Sequence, residues 1–166
     1  DHPLTRFVNF TGSKEIGLRI AERSAKAAPG QKWLKRAFLE MGGKDAMIVD
    51  ETADLKAAAA DAVRSAFGFQ GQKCSANSRV YIEQPVYDKL VSRLVELTGK
   101  LVIGDPTEKG VYLGPVANGN SYKQFKQFTE EISDAGRFLT GGKVLTEGAY
   151  GKGFFCQPTL AAGIPL

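Results

Sequence analysis

Strand-like and helix-like patterns alternate along this 166-residue chain, and the alternation constrains its fold more than any other feature. Arg6–Phe10 is typical of a short strand, and a helical pattern begins after Ser13, a residue type favoured at the N-cap position. Ala46–Val49 is a short apolar run typical of a buried strand, and Asp54 is a candidate cap for a longer helix. The sequence therefore predicts an α/β fold with a mostly parallel open sheet and flanking helices.

The remaining elements continue this alternation. The first helix is expected to carry Ile16, Ile20 and Ala21 on one face, and Pro85 suits the first turn of a later helix. The helix after Asp54 is expected to end at Gly68–Gly71 and to bury one face, formed by Leu55, Ala58, Ala59, Ala62, Val63 and Ala66. Further strands are predicted at Leu34–Met41, Ser78–Glu83, Arg137–Thr140 and Gly153–Pro158, and a helix at Tyr122–Ile132 before Gly136.

Composition argues against several classes of function. The net charge of +4 comes from scattered basic residues without interleaved aromatics, so we expect no nucleic-acid partner. Two cysteines and one histidine provide neither a disulfide framework nor a metal site, and they favour a reducing, cytoplasmic compartment (the mitochondrial matrix in a eukaryote). No apolar run reaches the roughly 18 residues needed to span a membrane, so no membrane partner is expected. The chain begins at Asp1 rather than Met, which suggests a processing or fragment boundary.

The turn between the first strand and the first helix is a candidate phosphate site. A helix N-terminus presents free N–H groups, Gly12 would allow close approach of a phosphate, and the Ser13 hydroxyl could donate a hydrogen bond. The segment Gly12–Gly17 matches neither the GxGxxG pattern nor a P-loop, because Leu18-Arg19 follows the second glycine. An ordinary capped helix remains the alternative.

Two further segments carry possible catalytic groups. Glu40 lies between Leu39 and Met41, where a buried carboxylate could act as a base toward water; the alternative is that it points to solvent beside a glycine turn. Cys74 follows a helix in a loop rich in Gly and Gln, with Lys73 beside it, a setting that suits a reactive thiol. Cys156 lies in a predicted strand and is interpreted as structural.

A cysteine hydrolase is disfavoured because such an enzyme needs a histidine near the thiol. The one histidine, His2, lies near the chain start, so Glu40 is the better candidate partner for Cys74.

Three motifs in this order resemble the aldehyde dehydrogenase superfamily: Phe10–Ser13, Leu39–Lys44 and Gly71–Arg79. The resemblance covers essentially the whole chain and is closest to the subfamily of 1-pyrroline-5-carboxylate (glutamate-γ-semialdehyde) dehydrogenases. The segments Pro29–Arg36 and Ser65–Ala76 carry that closer match.

The resemblance implies NAD-dependent oxidation of L-glutamate-γ-semialdehyde to L-glutamate, in proline catabolism, with NADP as another possible cofactor. Cys74 would attack the aldehyde to give a thiohemiacetal, loss of hydride would give a thioester, and Glu40 would activate water for hydrolysis. Gly12, Ser13 and Gly17 would contact the cofactor, and Ser75 and Phe69 the small-molecule aldehyde. No metal is implied, and the parent enzyme is expected to be a homo-oligomer.

The resemblance also implies domain limits and leaves alternatives. Residues 1–44 would end an NAD-binding, Rossmann-like domain, and residues 45–166 would form a catalytic domain truncated at its C-terminal end. The chain is thus expected to be an internal fragment, inactive alone. A CoA-acylating or other aldehyde dehydrogenase, or a non-catalytic module with this fold, remains open; an intact Glu40 favours hydrolysis.

Overall fold

The computed structural model describes residues 2–165. The chain divides into two compact units, Asp1–Lys44 and Asp45–Leu166. Each unit contains a pair of parallel strands joined through a helix, in the order strand, helix, strand. This arrangement is the βαβ unit that the alternating pattern predicts.

The first unit consists of β1 (Phe7–Thr11), α1 (Lys14–Ala25) and β2 (Arg36–Glu40). Ser13 is the N-cap of α1, as predicted, and its hydroxyl oxygen accepts a hydrogen bond from the N–H of Ile16 at 3.4 Å. Ile16, which the helical pattern places on one face with Ile20 and Ala21, is 44% exposed. Gly17 is the buried residue of α1 instead, and a Cβ there would lie 2.6 Å from Sδ of Met41. The missing side chain therefore lets Met41 pack against the helix.

The second unit begins with β3 (Asp45–Val49), α2 (Leu55–Phe67), β4 (Asn77–Ile82) and α3 (Tyr87–Gly99). Asp54 caps α2 as predicted, and a short 3₁₀ turn containing Pro85 leads into α3. The core lies where α2 packs against β3 and α3, and it consists of Val49, Ala59, Ala62, Val63, Leu90 and Leu94. Small alanines on α2 allow close approach, and full burial of Leu90 contributes about 1.5–3 kcal/mol.

The interpretation of Ala46–Val49 as a buried strand is wrong for Ala46 and Ile48, which are both exposed. Val49 is 2% exposed, but Ile48 is 81% exposed. Successive side chains of a strand point to opposite faces, and only the face carrying Met47 and Val49 packs against the core that includes α2.

The end of the second unit consists of α4 (Gly119–Ala135) followed by four short strands. These are β5 (Arg137–Thr140), β6 (Val144–Leu145), β7 (Phe155–Cys156) and β8 (Leu160–Ala162). They pair antiparallel as β5–β8 and β6–β7, in contrast to the parallel pairs β1–β2 and β3–β4. The mixture of helices and small parallel sheets confirms the predicted α/β class. Within residues 2–165, no helix is both long and apolar enough to cross a membrane.

Candidate functional site

Gly12, Ser13 and Glu40 lie at or just beyond the carboxyl ends of β1 and β2 in the first unit, and Gly17 lies within α1. These parallel strands are in register with Thr11 beside Glu40, so their ends form one edge. In open α/β sheets this is the edge at which ligands bind. The N–H of Gly12 donates to the carbonyl of Glu40 at 3.0 Å, and a side chain at position 12 would overlap the Phe10 ring. Gly12 is thus needed for local packing.

The N-terminus of α1 is exposed and favours negative charge. The acidic residue Glu15 lies in this first turn. A hydrogen bond from its own backbone N–H, followed by one from the Ser13 hydroxyl, lowers the pKa of the Glu15 carboxyl. The N–H of Gly17 already donates to the Ser13 carbonyl at 3.0 Å. Among the three predicted cofactor residues, Ser13 is the one with a polar side chain, and its hydroxyl already donates to the Glu15 carboxylate.

Glu40 is the last residue of β2 and its side chain is exposed. Of the two interpretations of this residue, burial at the strand end and exposure to solvent, the structure shows exposure. Leu39, one residue earlier, is half-buried because alternate strand residues face opposite sides.

Cys74 lies in a tight turn between α2 and β4, and it is exposed. The N–H of Ala76 donates to the carbonyl of Lys73 at 3.1 Å, which closes this turn around Cys74. Cys156 differs, because burial raises the pKa of its thiol to about 11, partly opposed by the charge of Lys126. A thiol with such a pKa is almost entirely protonated at neutral pH and therefore a poor nucleophile. The two cysteines thus occupy contrasting environments.

The backbone just before Cys74 is left-handed at three successive residues. Phe69 has φ 53°, Gln70 has φ 59° and Gly71 has φ 68°. The N–H of Gln72 donates to the carbonyl of Phe69 at 3.0 Å and closes this turn. A left-handed conformation costs roughly 1–2 kcal/mol for a residue other than glycine. Strain of this kind concentrates at functional sites.

An open cleft of about 700 Å³ borders the Cys74 turn. Phe69 and Ser75, the two predicted substrate residues, line this cleft together with Lys73. Cys74 itself is not a lining residue. The other lining residues are Met47, Asp61, Arg64, Ser65, Gly68, Gln70 and Tyr112. The cations differ in their surroundings. Arg64 pairs with Asp61 at 2.7 Å, while the Lys73 ammonium lies 6.0 Å from the centroid of the Phe69 ring.

Three polar side chains around Cys74 escaped the sequence analysis. Gln70 and Gln72 reach toward the segment that leads into α4, more than 40 residues away in sequence. Asn77 is only 9% exposed, and its amide nitrogen and oxygen have no hydrogen-bond partner among residues 2–165. The Gln-rich composition of this loop was the available sequence signal for these contacts. Composition alone does not identify hydrogen-bond partners that are distant in sequence. The described residues contain no group of three or more His, Cys, Asp or Glu side chains able to hold a metal ion.

Comparison with known proteins gives consistent matches over the whole chain. The aldehyde dehydrogenase family matches residues 1–165. The chain is 54% identical over 164 residues to the 1-pyrroline-5-carboxylate dehydrogenase of Geobacillus kaustophilus, a match that covers 99% of the chain and 31% of that protein. The 1-pyrroline-5-carboxylate dehydrogenase of Bacillus subtilis is 51% identical, and the match again covers 99% of the chain and 31% of that protein.

Solved structures give the same result. A Thermus 1-pyrroline-5-carboxylate dehydrogenase with bound NAD superposes with a TM-score of 0.89 at 46% identity, covering 99% of this chain and 31% of the other. A 3,6-anhydro-L-galactose dehydrogenase reaches a TM-score of 0.90 at 33% identity, covering 99% and 33%. The chain therefore spans about one third of the length of these four proteins.

Proposed function

Because the chain belongs to the aldehyde dehydrogenase family, we propose that it is the nucleophile-bearing segment of an enzyme that oxidises L-glutamate-γ-semialdehyde to L-glutamate with NAD. The observation that carries the proposal is Cys74, an exposed thiol in a turn closed by a backbone hydrogen bond. The substrate is chosen from the names of the relatives at 49–54% identity, all 1-pyrroline-5-carboxylate dehydrogenases.

Cys74 is proposed as the nucleophile. Its thiolate would attack the aldehyde carbon, so that a carbon–sulfur bond forms and the carbonyl oxygen gains negative charge. The backbone N–H of Cys74 would stabilise that charge as it develops, and a donor fixed in a closed turn suits this role. Sulfur suits both steps, since a thiolate is a strong nucleophile and also leaves readily when the resulting thioester is hydrolysed.

Glu40 is proposed as the base that removes a proton from the hydrolytic water. Its support is an exposed carboxylate at the carboxyl end of β2 together with the family motif around it. A carboxylate can act on water only when it is ionised and accessible, and exposure provides access.

Ser75 and Phe69 are proposed to bind the substrate. The cleft that they share offers a hydroxyl donor and an aromatic surface, and Lys73 adds a positive charge on the same wall. The α-carboxylate of this semialdehyde would suit the hydroxyl and the cation, and its short hydrocarbon chain would suit the aromatic surface.

Gly12, Ser13 and Gly17 are proposed to hold the cofactor. The exposed N-terminus of α1, with a hydroxyl at Ser13 and no side chain at Gly12, fits one phosphate of a pyrophosphate. Glu15 would have to turn its carboxylate away, because it occupies the favourable anion position. When bound, NAD would accept the hydride removed from the substrate carbon. NADP remains the alternative cofactor.

The domain roles also belong to the proposal. Residues 1–44 would contribute to cofactor binding and residues 45–166 to catalysis, limits that coincide with the two compact units. The parent is proposed to act in the cytoplasm, supported by the two free cysteines among the described residues. Its homo-oligomeric state remains a prediction of the family resemblance.

A chimaera tests the proposal directly. In it, this chain replaces the matching 31% of the Geobacillus kaustophilus relative, and NADH formation from L-glutamate-γ-semialdehyde is measured. We expect turnover in the chimaera, none in the 166-residue chain alone, and none after Cys74→Ala. Glu40→Gln should leave one rapid equivalent of NADH per site and slow all later turnovers. An inactive but folded chimaera would contradict the proposed activity, and turnover that needs CoA would favour the acylating alternative.

A further inference from the structure

The turn that carries Cys74 is anchored on its downstream side by the protein core. Asn77, the first residue of β4, donates its backbone N–H to the hydroxyl oxygen of Ser65 on α2 at 3.3 Å. β4 itself pairs in parallel with β3. Movement of the Cys74 turn is therefore restricted at this end by a strand and a helix.

The side chain of Gln72 anchors the upstream side. The amide oxygen of Gln72 accepts a hydrogen bond from the N–H of Ala117 at 2.9 Å, and its amide nitrogen donates to the hydroxyl oxygen of Ser121 at 3.0 Å. We call these two hydrogen bonds the Gln72 bridge. They link the residue two positions before Cys74 to the start of α4, 45 and 49 residues further along the chain.

The partners of the Gln72 bridge fix the orientation of its amide. Asn118, the N-cap of α4, accepts hydrogen bonds at its side-chain oxygen from the N–H of Ser121 at 3.0 Å and from the Ser121 hydroxyl at 3.3 Å. The Ser121 hydroxyl hydrogen is thus engaged, and a lone pair remains for the Gln72 amide nitrogen. The Ala117 N–H requires an acceptor at the other end. The site is therefore specific for an amide, with one acceptor and one donor.

The neighbouring backbone requires such an anchor. Phe69 and Gln70 are left-handed without being glycines, a conformation that persists only when its surroundings hold it. With its amide oxygen toward Gly114, Gln70 accepts from the Gly114 N–H at 2.8 Å and donates to the Phe69 carbonyl at 3.1 Å. Both glutamines thus fasten the strained segment to residues 114–121.

We propose that Gln72 is a positioning residue for the Cys74 nucleophile. The Gln72 bridge holds the upstream end of the Cys74 turn while β4 holds the downstream end, so the thiol and the Cys74 backbone N–H keep one direction. The catalytic consequence rests on the proposed function, whereas the mechanical role of the bridge does not. Displacement of a reacting group by about 1 Å can slow a reaction about 100-fold, so a loosened turn should lower kcat.

Amide hydrogen exchange on the 166-residue chain tests the mechanical part. Gln72→Met keeps the length of the side chain and removes both hydrogen bonds. We expect exchange in the peptide covering residues 72–77 to accelerate roughly 5- to 30-fold, which corresponds to about 1–2 kcal/mol for two lost hydrogen bonds. Gln72→Glu should fall between, because it keeps the acceptor for Ala117 but offers no donor to Ser121.

The matched control is Gln127→Met on α4, whose amide donates to Glu131 on the helix surface at 2.8 Å. This change should leave the exchange of residues 72–77 unaltered. Equal exchange in Gln72→Met and the unsubstituted chain would overturn the inference. Equal acceleration by Gln127→Met would do the same, since it would point to general loosening of α4.

Kinetics of the chimaera test the catalytic part. Gln72→Met should lower kcat at least tenfold with little change in KM, and Gln72→Glu should recover part of that loss. Faster exchange with unchanged kcat would overturn the positioning role. If the chimaera with Gln72 intact is inactive, the proposed function fails, and the exchange result alone decides whether the bridge holds the turn.

Discussion

Replacement of Gly71 with alanine should destabilise the second unit more than the same change at Gly148. Both glycines have left-handed backbones, with φ 68° at Gly71 and φ 56° at Gly148. The surroundings differ. A Cβ at Gly71 would lie 2.9 Å from the carbonyl oxygen of Ala66, whereas a Cβ at Gly148 would meet nothing within 4 Å. The pair therefore separates backbone strain from steric overlap.

The magnitude follows from these two contributions. Strain of roughly 1–2 kcal/mol at either site is partly offset by about 0.4–1 kcal/mol from the reduced freedom of the unfolded chain. Gly148→Ala should therefore cost about 1.5 kcal/mol or less. Overlap with a backbone atom that cannot rotate away adds about 1–3 kcal/mol at Gly71. We expect a total loss of about 1–4.5 kcal/mol in the free energy of unfolding for Gly71→Ala.

The assay is urea unfolding of the 166-residue chain in a Cys74→Ser background. Cys156 is then the remaining thiol, and its labelling reports unfolding of the second unit, in parallel with circular dichroism. Equal losses at Gly71 and Gly148 would refute the steric argument. A larger loss at Gly148 would refute the whole account of the left-handed turn.

Three further predictions concern titration and burial. Because burial raises the pKa of Cys156 to about 11, the folded second unit should lose stability as pH rises from 9 toward 11. For the same reason, iodoacetamide should modify exposed Cys74 before Cys156 at pH 8. Equal labelling rates for the two thiols would contradict this prediction. Hydrogen bonds from the N–H groups of Ala57 and Lys56 lower the pKa of the Asp54 carboxyl, so its cap should stabilise α2 above pH 3.8 and weaken as pH falls through the lowered pKa. Asp54→Asn should flatten that part of the acid-unfolding profile, and an unchanged profile would count against the cap. Asn77→Ala should raise the free energy of unfolding, measured by urea unfolding, by about 1 kcal/mol, because it removes a buried amide with no partner among residues 2–165. A lower free energy of unfolding would show that the amide is hydrogen-bonded.

Elements with local signals could be predicted from the sequence. Ser13 and Asp54 cap α1 and α2 because their short polar side chains reach backbone N–H groups two or three residues later. The apolar face of α2 followed from helical periodicity, and Pro85 marked the turn before α3. Such features depend on neighbours within a few residues, which the sequence displays directly.

Features that depend on distant partners could not be predicted. The exposure of Ile16 and Ile48 depends on which face another element covers, and hydrophobicity alone does not state this. The left-handed turn was unexpected because Phe69 and Gln70 have no preference for positive φ. For the candidate site, a loop around Cys74 was predictable, but its attachment through Gln72 to Ser121 was not, since 49 residues separate the two.

The conformation of Phe69 bears on how this segment can vary. Selection for stability alone would place glycine or asparagine at a left-handed position, because they adopt it at lower cost. An aromatic residue that is 74% exposed gains little from burial there. The ring lines the cleft, where we propose that it binds the substrate. Under that proposed role, replacement of Phe69 with glycine or asparagine should raise the free energy of unfolding and lower substrate selectivity.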